Sequence, residues 1–117
     1  MTQTLRTFTP IQTQAEIDAL FEQSLRGPVV IFKHSPTCGT SAQAYDELVE
    51  YLAEDDALDV HLLDVLTRRP LSQALALRVQ VRHESPQLLV LRDGAVAWHG
   101  SHWRVTADAV RAAAKKG

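Results

Sequence analysis

Apolar and polar positions switch between two periods along the chain, and the switches mark out eight elements. Residues 14–25, QAEIDALFEQSL, put Ile17, Leu20, Phe21 and Leu25 at helical spacing, with Thr13 as N-cap and Gly27-Pro28 as the stop. Residues 29–34, VVIFKH, are apolar on both faces until Lys33, the pattern of a strand buried in the middle of a sheet. In residues 41–54, SAQAYDELVEYLAE, one helical face carries Ala44, Tyr45, Leu48, Val49 and Leu52, as suits a helix that covers a sheet. Residues 57–65, ALDVHLLDV, read as a second strand. Thr67 caps a third helix through 68–79, where Pro70 falls in the first turn and its missing N–H costs nothing. Residues 87–100 are two apolar runs around Asp93-Gly94, a dipeptide suited to a tight hairpin turn with positive φ. Residues 106–117 close the chain as a helix, with Thr106 as cap and lysines near the negative end of its dipole.

The predicted order is therefore αβαβαββα. A β-α-β unit followed by a hairpin places two parallel strands beside two antiparallel ones in a four-stranded mixed sheet, with helices on both faces. This α/β pattern resembles the thioredoxin-like arrangement. Cys38, the only cysteine, falls between the first strand and the helix after it, where the active thiol of that arrangement belongs.

Composition narrows the setting. At 117 residues, 45% of them apolar, the chain suits one domain spanning 1–117, and no repeat or linker divides it. Twelve basic side chains against 14 acidic ones, with no long run of either sign, argue against nucleic acid as a partner. The opening MTQTLRTFTPIQTQ lacks the apolar core of a signal peptide, and no apolar stretch approaches the ~20 residues that span a bilayer. A cytoplasmic protein with no membrane association is expected. A single cysteine agrees with a reducing compartment, and any disulfide it makes joins another molecule.

A cysteine at a helix start lies among unpaired N–H groups and at the positive end of the dipole, both of which favour thiolate over thiol. The competing reading is an inert, packed thiol. Lys33 and His34, just upstream, can add positive charge, but strand alternation lets only one of them face the sulfur. Dithiol sites use C-x-x-C, and the stretch here is Cys38-Gly39-Thr40-Ser41. Ser41 cannot resolve a disulfide, although its hydroxyl can donate to a thiolate, so the site performs one exchange and then needs an outside thiol. Ser85-Pro86 stands where thioredoxin-like proteins carry a cis-proline facing the cysteine. His102 and Trp103, in HGSHW, come to the same edge of the sheet by strand direction; Trp103 is either a groove wall or a core residue under the last helix. His99 with His102, or His83 beside Glu84, offer too few ligands for a metal site, so none is expected.

The stretches FKHSPTCGTS, RRPLS and VRHESPQLLVLRDGAVAWHGSHWRVT closely resemble the monothiol bacilliredoxins, the YtxJ family of thioredoxin-like proteins linked to bacillithiol. The resemblance runs from the first strand to the last helix. It implies thiol-disulfide exchange that removes bacillithiol from protein mixed disulfides, with Cys38 as nucleophile and Ser41 in the resolving position. Bacillithiol is then a cosubstrate, no cofactor is tightly bound, and the partners are S-bacillithiolated proteins and a low-molecular-weight thiol. Lys33, His34, Thr37, Gly39, Thr40, His83, Glu84, Ser85, Pro86, His102 and Trp103 are the candidate substrate-binding residues. The family motif resembles T-C-P-I-S, from which this chain departs at Gly39 and Thr40. Cys-Gly-Thr-Ser is also similar to the Cys-Gly-Phe-Ser of monothiol glutaredoxins that carry an iron-sulfur cluster, but the Gly-Gly pair of that family is missing after the hairpin. A third alternative is a thioredoxin-like binding module without turnover.

Overall fold

The computed structural model describes residues 7–115; the end of the last predicted helix, at 116–117, lies outside them. The strands are β1 (Thr9–Pro10), β2 (Val29–His34), β3 (Val60–Asp64), β4 (Gln87–Arg92) and β5 (Ala95–Ser101). The helices are α1 (Gln14–Gln23), α2 (Gly39–Leu52), α3 (Arg69–Val79) and α4 (Ala107–Lys115), with a 3₁₀ turn at His102–Arg104. One sheet takes the order β1-β3-β2-β4-β5 among the described residues. The sheet thus has five strands where four were expected. β1 was missed because two residues, one a proline, carry no alternation; it pairs parallel with β3 at Thr9–His61 and Pro10–Leu62.

β2 lies at the centre, parallel to β3 and antiparallel to β4, as its two-sided apolar pattern predicts. Val30 and Phe32 face a core with α2 and α4, which contribute Ala44, Leu48, Tyr51, Val110 and Ala113. Val29 and Ile31 face the other core, with Ile17, Leu20 and Phe21 of α1 and Leu75 of α3. Helical spacing identified these faces but overextended them: Leu25, Tyr45 and Val49 are exposed, while Tyr51 is buried and accepts a hydrogen bond from Leu58 N–H at 2.8 Å.

Local signals account for most boundaries. Thr13 caps α1 through a full capping box, its hydroxyl accepting from Glu16 N–H at 3.2 Å while Glu16 accepts from Thr13 N–H at 2.9 Å. Thr106 caps α4 by accepting from Ala109 N–H at 3.0 Å. Asp93 and Gly94 both have positive φ, 53° and 77°, as a two-residue hairpin turn of this hand requires. The cap of α3 is Arg68 rather than Thr67, with no side-chain capping bond; Thr67 belongs instead to the preceding turn, in which Asp64 Oδ1 accepts from Leu66 and Thr67 N–H at 2.9 and 3.1 Å.

Candidate active site

The parallel strands β2 and β3 end side by side, with Val65 N–H donating to the His34 carbonyl at 3.0 Å. Helices that follow parallel strands begin at this end of the sheet, so the loop after β2 delivers its residues to the start of α2. Cys38 is the N-cap of α2, extended at φ −103° and ψ 126°, and half-exposed. Its carbonyl accepts the first helical bond, from Ala42 N–H at 3.0 Å, and its own N–H closes a turn onto the Ser35 carbonyl at 3.1 Å. No side chain caps the helix. The first-turn N–H groups at the thiol's end of α2 are therefore claimed by no side chain among the described residues.

Ser41, one turn into α2, is fully buried. Its hydroxyl oxygen accepts from Ser35 N–H at 2.9 Å and lies 2.7 Å from His34 Nδ1. The expected hydrogen bond from Ser41 to the thiol is thus absent among the described residues; the hydroxyl instead fastens the Cys38 loop to the end of β2. His34 is packed between the Phe32 and Tyr45 rings, at 5.3 and 5.2 Å. Burial pushes its imidazole pKa below the ordinary value, with the Asp64 carboxylate pulling the other way.

Strand alternation separates His34 from Lys33, and only His34 shares the face of α2. Of the two cations that could have faced the thiol, Lys33 is the one turned away: it lies on the opposite face of the sheet, fully buried, its ammonium without a hydrogen-bond partner among the described residues, so it is not a substrate-binding residue beside Cys38. Burial pushes its pKa down to about 8, against the pull of Glu84.

β4 brings the second part of the site. Lys33 pairs with Gln87, so the residue before Gln87, Pro86, comes opposite His34. The Ser85-Pro86 bond is cis, as its position before this strand suggested. The Pro86 carbonyl accepts from His102 N–H at 2.9 Å, which ties the turn after β5 to the proline. Trp103 on that turn is 66% exposed, so it is not the core residue under α4; Val105 fills that position. Thr37 and Gly39 are exposed and Thr40 half-buried around the thiol. Glu84 receives a hydrogen bond from Ser101, the main reason its carboxyl pKa is lowered. His83 lies on the α3 side, its Nδ1 3.2 Å from the Ser72 hydroxyl.

This geometry is a thiol at a helix start, on the loop that leaves β2 where the cis-proline comes opposite His34, and a family model described as Monothiol bacilliredoxin BrxC matches residues 9–110. The chain belongs to the monothiol bacilliredoxin family. The bacilliredoxin fold is shared with a solved structure described as a putative oxidoreductase with a thioredoxin fold, at 30% identity and a TM-score of 0.81, covering 90% of this chain and 91% of that one. A thioredoxin variant from Halobacterium salinarum matches at 23% identity and a TM-score of 0.71, over 98% and 94% of the two chains. A Malassezia sympodialis thioredoxin matches at 13% and 0.76, over 99% and 96%. The last two are evidence of the shared fold alone. Family and fold together make this bacilliredoxin a thiol oxidoreductase at a general level.

Sequence reasoning missed Ser35, whose N–H and carbonyl hold Ser41 and Cys38, and Tyr45, which packs on His34. No local signal marks a backbone N–H as a partner of a hydroxyl six residues on. Tyr45 was read as a face residue of α2, which is correct, but its contact with the end of β2 depends on how the two elements pack.

Proposed function

We propose that this bacilliredoxin removes bacillithiol from protein mixed disulfides, with Cys38 as the nucleophile. The Cys38 thiolate attacks the bacillithiol sulfur, the protein–bacillithiol S–S bond breaks, and the client thiolate leaves with the bond's electron pair. A new disulfide joins Cys38 to bacillithiol, so the number of disulfides is unchanged. A second thiol then attacks this adduct and releases Cys38. The observation that carries the reading is the placement of Cys38: the N-cap of α2, half-exposed, with no side-chain capping bond over the first turn. Ser41 supports the monothiol course, because a buried hydroxyl held by Ser35 and His34 supplies no sulfur to expel the adduct. Thr37, Gly39 and Thr40 on one side, and Ser85, Pro86, His102 and Trp103 on the other, are the proposed walls for the client and the small thiol.

The test is intact-mass measurement after exposure to a bacillithiol mixed disulfide. The wild type should gain one bacillithiol and keep it until external thiol is added, while Cys38→Ser should gain nothing. Ser41→Cys should shed the adduct by forming an internal disulfide, since residues three apart at a helix start lie within disulfide reach. A Cys38→Ser protein that still released client thiol would overturn the assignment.

A further inference from the structure

On the α3 side of the sheet, at the end where β2 and β3 stop, a cavity of about 340 Å³ is lined by Val65, Leu66, Arg69, Ser72, Gln73 and His83. No carboxylate lines it among the described residues. The nearby acids are engaged elsewhere: Asp64 Oδ1 accepts from Leu66 and Thr67 N–H at 2.9 and 3.1 Å, and Glu84 holds Ser101. The cavity wall supplies one permanent cation, Arg69, with the Ser72 hydroxyl, the Gln73 amide and the His83 imidazole as further polar groups. Arg69 is also the first residue of α3, a helix whose N-cap offers no side-chain capping bond, so its dipole adds positive potential there.

A second positive charge lies below. Lys33 is on the same face of the sheet, fully buried, and its ammonium has no hydrogen-bond partner among the described residues. His83 registers both cations: burial first, then the charges of Lys33 and Arg69, hold its pKa below the ordinary value, with Glu84 opposing. One cation thus lines a cavity whose described lining holds no carboxylate, and a second is buried on the same face close enough to act on His83 in its wall, an arrangement that suits an anion. The cavity is at the end of the sheet from which the thiol's loop departs: its wall residue Val65 donates to the carbonyl of His34, the last residue before that loop, and its wall residue His83 stands three residues before the cis-proline.

We propose that this cavity receives the carboxylate-bearing part of the small thiol that Cys38 takes up, with Arg69 as the residue that selects for it. The proposal rests on the exchange reaction proposed above. Its volume is at the lower end of small-molecule sites, which fits one acidic substituent rather than a whole peptide. Arg69 does not touch the reacting sulfurs; it sets which disulfide is held in place.

The experiment measures the rate of Cys38 adduct formation with three symmetrical disulfides: that of mercaptosuccinate, which carries two carboxylates per thiol, neutral 2-hydroxyethyl disulfide and cationic cystamine. The wild type should react fastest with the dianionic thiol's disulfide, and added salt should narrow the spread. Arg69→Gln should lower the ratio of the mercaptosuccinate rate to the hydroxyethyl rate about tenfold, the loss of one charge-assisted hydrogen bond. Arg69→Lys should restore part of that ratio. A merely structural Arg69 would change all three rates together and leave the ratio where it was. Adducts that form at equal rates from all three disulfides, or a ratio untouched by Arg69→Gln, would overturn the carboxylate site while the exchange reaction stands. Failure of every disulfide to form an adduct on the wild type would overturn the exchange reaction itself, and the carboxylate site with it.

Discussion

Lys33 and His34 are neighbours in sequence with opposite fates, and the sheet is the reason. Successive residues of β2 point to opposite faces, so His34 reaches Ser41 of α2 while Lys33 is buried on the side of α1 and α3. A buried ammonium with no hydrogen-bond partner costs stability, and its pH dependence follows from linkage. The folded pKa, about 8, is below the unfolded 10.5. Below pH 8 both states hold the proton and the folded state bears the full penalty; between 8 and 10.5 only the unfolded state holds it, so stability rises with pH. The rise is on the order of 3 kcal/mol. Lys33→Met, close in volume and uncharged, should be more stable than the wild type at pH 7. The stability difference between the two should shrink as pH climbs through this window in denaturant titrations; a difference that stays constant would show that Lys33 bears no such penalty.

At the scale of elements, the hairpin and α1 illustrate what a local pattern does and does not carry. Asp93-Gly94 announced the turn, and both residues adopt the positive φ the turn needs. Where the turn docks was not legible, because its partner lies 70 residues earlier in the chain: Ser24, at the end of α1, is buried and accepts from Gly94 N–H at 2.9 Å through its hydroxyl. Its carbonyl accepts from Asp93 N–H at 2.8 Å, and its hydroxyl donates to the Phe21 carbonyl at 2.6 Å. Ser24→Ala should therefore leave Gly94 N–H without its partner and cost about 1–2 kcal/mol, lowering the melting temperature by roughly 4–8 °C. Calorimetry checks this, and a melting temperature unchanged within error would mean that water replaces the bond. The cap of α3 makes the same point. Thr67 is a good capping residue by type, yet it lies in the turn that Asp64 holds, and the helix is capped one residue later, at Arg68.

For the molecule as a whole, one central sheet separates two cores, and the end where β2 and β3 stop is where chemistry-bearing residues collect. Leu48 of α2 is fully buried in the core that supports the Cys38 helix, alongside Phe32 and Val90. Leu48→Ala should cost about 2–5 kcal/mol, a large part of the roughly 5–15 kcal/mol of a domain this size. Urea titration should show a lower midpoint, and a shift below 1 kcal/mol would mean that the core around α2 collapses to fill the space.

The order of the major elements, the central place of β2, the hairpin and the position of Cys38 at the start of α2 were all determined by the sequence itself. Each depends on periodicity, caps or turn residues within a dozen neighbours. The resemblance carried by FKHSPTCGTS and HESPQ likewise named the family that the match over residues 9–110 bears out. Tertiary structure alone decided that Ser41 binds Ser35 and His34 rather than the thiol, that β1 adds a fifth strand, and that Arg69 and His83 line one cavity beside buried Lys33. Those outcomes depend on how the loops and layers pack at the end of the sheet. A buried polar group takes the nearest partner that satisfies it, and no local period encodes that distance.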